Sequence, residues 1–324
     1  MRSRRILITA VGSEGDLRPL LAIGGVLRQR GHHVRLASHA LHADLTAEAG
    51  LDFIDASGID LPEDRGKFAR RAFRRLSGPR FVIHDFAAAD VAASHARLTA
   101  ACADDVDLVL TSTLAFAGQI LAQQRGWRWV SVVLAPAGLW SDYQPPEIGW
   151  PWLDRFVAAS PERAAHLRGV FERVSRRWTA PVRRFRLAQG LPPEPPAGNP
   201  MLRGQHAPAC SLALFPDWFG APQPDWPAQM QQTDFCFYRA QETALAPHVN
   251  EFLDAGAPPL VFSLGSAAVH AGERFLHESL SAACQLGART VLLTGSAEMR
   301  ERLPTPLPSG VLALDAAPHA LLFP

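Results

Sequence analysis

The chain predicts an α/β protein built on parallel sheets, and three observations carry that expectation. Short apolar runs rich in β-branched residues alternate with amphipathic helical patterns through residues 1–135. One such run, Ile6 to Val11, breaks at Gly12-Ser13-Glu14-Gly15-Asp16 and enters a helical pattern at Leu17. A second strand-loop-helix opening, Pro259-Leu260-Val261-Phe262-Ser263-Leu264-Gly265-Ser266, starts a further unit near residue 258. The expected architecture is one whole doubly wound domain followed by part of another, with a ligand in the cleft between them.

In chain order, strands are expected at Arg5–Val11, His33–Ala37, Asp52–Ile54, Leu108–Thr111 and Trp129–Leu134. Helical patterns fall between them at Leu17–Arg30, Leu41–Ala49, Ala87–Ala103 and Leu114–Arg125. The first helix places Leu17, Leu20, Leu21, Gly24 and Leu27 on one stripe and ends in Arg28-Gln29-Arg30-Gly31, the basic last turn and glycine stop that the helix dipole favours. Residues 136–160 turn Pro- and aromatic-rich, with Trp140, Tyr143 and Trp150, at the carboxyl end of a strand. An apolar acceptor pocket and a packed loop covering the sheet both fit that composition. A long basic helix over Pro161–Gly190, a strand at Cys210–Phe215 and a Pro/Trp-rich stretch follow.

The domain expectation is an N-terminal domain over 1–232, a linker over 233–258 and a partial C-terminal domain over 259–324. The last comprises strands Leu260–Leu264, Thr290–Thr294 and Val311–Leu314 with the helix Glu273–Leu286.

With 48% hydrophobic residues, 324 residues can build two packed cores. A net charge of +1 gives no field for nucleic acid. Lys67 is the only lysine, which reads as coding bias. Cys102, Cys210, Cys236 and Cys284 form no C-x-x-C and read as reduced, apolar-environment cysteines of a cytoplasmic protein. The first apolar run is too short for a signal-peptide core, and none reaches membrane-span length.

Asp16 has two candidate roles. As an N-cap it would accept a backbone N–H, and as a general base it would take a proton from an acceptor hydroxyl. The G-x-x-G turn lacks the second glycine of a dinucleotide fingerprint, and the second strand ends Leu36-Ala37-Ser38-His39 with no acidic ribose ligand. A nicotinamide or flavin enzyme is disfavoured. His32, His33, His39 and His42 lack metal-ligand spacing and read as structural or solvent-facing, so no metal is expected. From Lys67 to Leu76 the pattern is a basic amphipathic helix, either packed on the core or in weak peripheral contact with a membrane.

Gly12-Ser13-Glu14-Gly15-Asp16-Leu17-Arg18-Pro19, Arg30-Gly31-His32 and Val34-Arg35-Leu36-Ala37 resemble the opening of GT-B-fold UDP-glycosyltransferases. The likeness is to bacterial enzymes acting on macrolides, glycopeptides, sterols and other lipids, and to the family 1/28 N-terminal domain. Pro258–Ser266 resembles the opening of their donor domain, and Ala317-Pro318-His319 the segment that meets the nucleotide base. The resemblance implies a GT-B fold of two Rossmann-like domains, the second incomplete. It further implies an inverting transfer of a sugar from UDP or dTDP to a hydroxyl of an apolar small molecule or lipid. Asp16 falls on the family's base position. Gly12, Ser13, Gly15, Gly265, Ser266, Pro318 and His319 fall on donor-binding positions, and no cofactor or metal is implied. Gly265-Ser266 also fits an ordinary strand-to-helix turn. The family's glycine-rich diphosphate motif does not appear before Pro324, so the expectation is a C-terminally truncated, inactive or impaired enzyme. A non-catalytic remnant that binds an acceptor or partner is the alternative.

Overall fold

The computed structural model describes residues 2–59, 64–103, 105–238 and 244–323. Contacts group the chain into two units: Met1–Gly12, Asp16–Asp60 and Pro79–Tyr238 form one, and Ser13–Gly15, Leu61–Gly78 and Arg239–Pro324 the other. Residues 239–243 of the expected linker, and Pro324, lie outside the described residues.

The first unit holds seven strands: β1 (Arg5–Thr9), β2 (His33–Ser38), β3 (Asp52–Asp55), β4 (Leu108–Thr111), β5 (Arg128–Val133), β6 (Ser211–Ala213) and β7 (Met230–Gln232). Their order is β3-β2-β1-β4-β5-β6-β7, parallel throughout. The chain runs outward from β1 to β3 and then returns to β4 on the other side of β1. The switch point, where an open α/β sheet parts its loops to admit a ligand, therefore lies at the carboxyl ends of β1 and β4.

Burial explains this sheet. Ile6 and Ile8 enter one core with Leu17, Leu20, Leu21 and Leu36, while Leu7 enters the opposite core with Val109, Phe116 and Ile120. A strand covered on both faces must be apolar at every position, which is why β1 reads as a continuous run instead of an alternation. Helix α1 (Glu14–Gln29) lays its Leu17, Leu20, Leu21 and Gly24 stripe on that sheet, each leucine contributing about 2 kcal/mol by burial. Gly24 is small because a Cβ there would come within 2.6 Å of Leu51 Cδ1.

The second unit holds β8 (Leu260–Phe262), β9 (Thr290–Leu293) and β10 (Val311–Leu314), parallel in the order β10-β9-β8. Its helix Glu273–Leu286 sends Leu276 and Leu280 onto Leu292, with Met299 and Leu303 beside them. Val291 and Leu293 face the other way, toward Leu322.

Several expected elements differ from those observed. β1 ends at Thr9, not Val11. The expected helix Pro161–Gly190 is two helices, Pro161–Trp178 and Ala180–Ala188, because Pro181 has no N–H to continue the ladder and its ring crowds the preceding turn. β7 was not expected: Met-Gln-Gln has no strand pattern and is held by pairing with β6. The basic helix near Lys67 spans only Arg65–Ala72, leaving Phe73 and Leu76 exposed beyond its end. The helix expected over Ala87–Ala103 is a π-helical stretch, Phe81–Ala88, followed by Val91–Ala101. Among the described residues no helix is long and apolar enough to cross a membrane.

Candidate functional site

The turn after β1 is braced from both neighbouring strands. Val11 N donates to Ser112 Oγ (3.1 Å), on the loop after β4, and Ser112 N donates to Thr9 O (2.9 Å). From the β2 side, Ser38 Oγ donates to Ala10 O (3.0 Å), and buried His42 places Nε2 3.3 Å from Gly12 O. Gly12 itself has φ +141°, a conformation that L side chains rarely adopt.

That backbone reversal starts α1 at Glu14, one turn earlier than the sequence pattern suggested. Asp16 is therefore the third residue of the helix and not a residue ahead of it, which corrects the simple N-cap expectation. Its carboxylate folds back over Gly12, where an added Cβ would overlap the carboxylate oxygen. Glu14 and Asp16 both sit in the first turn, where the helix dipole favours negative charge. Asp16 remains half-buried at the carboxyl edge of the sheet, while Gly12 is exposed. In the second unit, Ser13 Oγ lies 3.6 Å from the point a Gly15 Cβ would occupy, so that glycine is not sterically required.

The loop after β4 carries a feature that the sequence did not signal. Leu114 has φ +64°, and Phe116 N donates to Leu114 O (2.8 Å), so the helix begins at Phe116 and not at Leu114. A non-glycine residue held in the left-handed region stores strain of order 1 kcal/mol, and such positions gather at ligand sites.

The loop after β5 is pinned by side chains distant in sequence. Ser141 Oγ and Asp142 N donate to the two carboxylate oxygens of Asp225 (both 2.7 Å). Arg168 clamps Asp142 in a two-pronged pair (2.9 and 2.7 Å), and that bond raises the guanidinium's pKa. Trp140 stacks on Phe171 at 5.1 Å, and Phe171 meets Trp178 edge-on at 5.6 Å. Tyr143 and Trp150 stand exposed on the same loop. Trp140, Arg168, Glu172, His206 and Asp225 line a small pocket of about 10 Å³, space for about one water. Two ring nitrogens there, Trp140 Nε1 and His206 Nδ1, are buried without a hydrogen-bond partner among the described residues. Burial, aided by Arg203, lowers the His206 pKa to about 4, so the ring is neutral at pH 7. Asp225, Arg168 and His206 were invisible to motif reasoning, since each gains its place through contacts across tens of residues.

In the second unit, Gly265 (φ +75°) and Ser266 are exposed and open the short turn Gly265–Ala268; Gly265 N donates to Ser263 Oγ (3.4 Å). Pro318 precedes the turn His319–Leu322, and the exposed His319 ring lies 5.8 Å from that of Phe323. The N-terminal histidines serve local structure: Arg4 N donates to His32 Nδ1 (3.3 Å) and Leu41 N to His39 Nδ1 (3.1 Å). Among the described residues, no group of three or more His, Cys, Asp and Glu side chains could hold a metal ion.

Residues 6–125 match the glycosyltransferase family 28 N-terminal domain. The O-mycaminosyltylonolide 6-deoxyallosyltransferase of Streptomyces fradiae is 28% identical over 345 residues, covering 99% of this chain and 74% of that protein. The glycosyltransferase GtfE of Amycolatopsis orientalis is 28% identical, covering 91% of this chain and 68% of its own length. In three dimensions, the glycosyltransferase VinC, solved in complex with dTDP, superposes with a TM-score of 0.54 at 20% identity, covering 97% of this chain and 72% of that one. The parallel sheets of the two units are those of GT-B glycosyltransferases, the fold that the opening motif implied.

Proposed function

For this glycosyltransferase of the GT-B type, we propose an inverting transfer of a sugar from a UDP- or dTDP-linked donor to a hydroxyl of an apolar small molecule, with Asp16 as general base. The observation that carries the reading is the seat of Asp16. It lies at the topological switch point, on a turn that only glycine can make at position 12 and that Ser112, Ser38 and His42 hold in place. A hydroxyl is a poor nucleophile. As its oxygen bonds to the anomeric carbon from one face, the sugar–diphosphate bond breaks on the other, and the hydroxyl proton passes to the Asp16 carboxylate. The nucleoside diphosphate leaves with the bonding electrons. In the second unit, Gly265 and Ser266 are assigned to the donor's diphosphate, and Pro318 and His319 to its nucleobase.

Support for a dTDP-linked donor comes from the dTDP complex of VinC. Support for an apolar small-molecule acceptor comes from the O-mycaminosyltylonolide in the Streptomyces fradiae relative's name and from Trp140, Tyr143 and Trp150 on the loop after β5. Calorimetry of the 324-residue chain with UDP and with dTDP tests the donor assignment: saturable binding of either is expected, and no heat with both would remove it. In a version of the enzyme with measurable transfer, Asp16→Asn is expected to lower turnover by roughly 100-fold or more while leaving donor affinity within a factor of about two. Unchanged turnover would take Asp16 out of the reaction.

A further inference from the structure

We propose that the outer face of helices Pro151–Ala158 and Pro161–Trp178 is a docking surface for an anionic lipid bilayer. On the first helix Trp152 and Phe156, one turn apart, are 70% and 52% exposed; on the second Val170 and Val174 are 38% and 43% exposed. The inward positions are filled by Val157, Ala164 and Ser175, so these four apolar side chains have no share in the core. The Arg163 guanidinium lies 4.3 Å over the Phe156 ring and Nη1 donates to Phe156 O (3.4 Å). That contact joins the helices into one strip, which runs Trp152, Phe156, Arg163, Val170, Val174, Arg177 at helical spacing.

Charge decides the occupant. Arg155, Arg163, Arg173 and Arg177 are exposed, and among the described residues none has a carboxylate within 4.0 Å. The other arginines of the second helix are paired: Arg168 with Asp142 and Glu172, and Arg176 with Glu194. Asp154, the one acid of the first helix, turns both oxygens to the backbone N–H groups of Ile148 and Gly149. Unpaired guanidinium groups interleaved with an indole, a phenyl ring and two valines complement the boundary between anionic headgroups and acyl chains. Apolar tips enter the boundary there while cations stay at phosphate level. An acidic protein surface would match the cations but leave the aromatic tips against polar groups. None of these residues is assigned to the transfer reaction, and none belongs to the basic segment near Lys67.

The test is co-sedimentation of the purified chain with vesicles of phosphatidylcholine alone and of phosphatidylcholine mixed with phosphatidylglycerol. Binding to the anionic vesicles is expected, at least tenfold weaker on the neutral ones or at high salt. Each Arg163→Glu or Arg177→Glu change is expected to weaken partition by roughly fivefold or more, and the W152S/F156S double variant by about tenfold, with far-UV circular dichroism unchanged because all four positions are exposed. No binding to anionic vesicles at low salt, equal binding to both vesicle types, or variants that partition like the parent would each overturn the proposal. So would a lipid-free dimer in analytical ultracentrifugation that W152S/F156S dissolves, which would give the face to a second copy.

Discussion

Gly12 and His206 show how single residues set local free energies. At Gly12, φ +141° and the overlying Asp16 carboxylate both exclude a side chain. Gly12→Ala is therefore expected to cost about 1–3 kcal/mol in urea denaturation and to displace Asp16, lowering turnover as well. His206 is neutral because it is buried; its pKa falls from 6.5 to about 4 on folding. A base with a depressed folded pKa binds fewer protons when native than when unfolded, so its stabilising effect is complete above pH 6.5. It is lost as pH falls from 6.5 toward 4, by roughly 3 kcal/mol over that window. Urea titrations across pH 7 to 4 should show that slope, and His206→Leu should flatten it even if the variant starts from a lower stability. Retention of the full slope would assign it to other groups.

Among elements, the loop after β5 depends most on distant partners. Its residues 141–142 are held by Asp225 from beyond β6 and by Arg168 from the helix Pro161–Trp178. Asp225→Ala leaves Ser141 Oγ and the Asp142 N–H without their acceptor, at a cost of about 1–3 kcal/mol. Faster proteolysis between residues 136 and 150 is the expected signature, and an unchanged cleavage rate would mean that Arg168 alone suffices. The same element shows the reach of sequence reading. Its aromatic, Pro-rich character and its place after a strand were legible, but the stacking of Trp140 on Phe171 was not, because nothing in either segment encodes the other's proximity. Likewise β1, β2, β4 and β5 announced themselves by continuous apolar runs, whereas β7, three residues with two glutamines, exists only because β6 offers an edge. The boundary misses have local causes: Leu114 in the left-handed region delays one helix, and Pro181 divides another.

At the scale of the whole molecule, each sheet has its own core. All eight tryptophans lie between residues 127 and 226, within the first unit, so their fluorescence reports on that unit alone. Leu292, fully buried in the second unit, offers a selective probe. Leu292→Ala, a cavity mutation worth about 2–5 kcal/mol, is expected to lower the helical circular-dichroism signal's midpoint in denaturant more than the tryptophan midpoint. Coincident shifts of both would show that the two cores unfold as one.

By itself the sequence determined the α/β class, the strands buried on both faces and the glycine turn that carries Asp16, because periodicity, burial and φ > 0 are written within a few neighbouring residues. Only the tertiary structure decided that Asp16 lies inside the first turn, that Ser112 and His42 brace it, and that Asp225, Arg168 and His206 meet around Trp140. Those arrangements depend on contacts between segments up to about a hundred residues apart. Their geometry is fixed by packing, which no local pattern records.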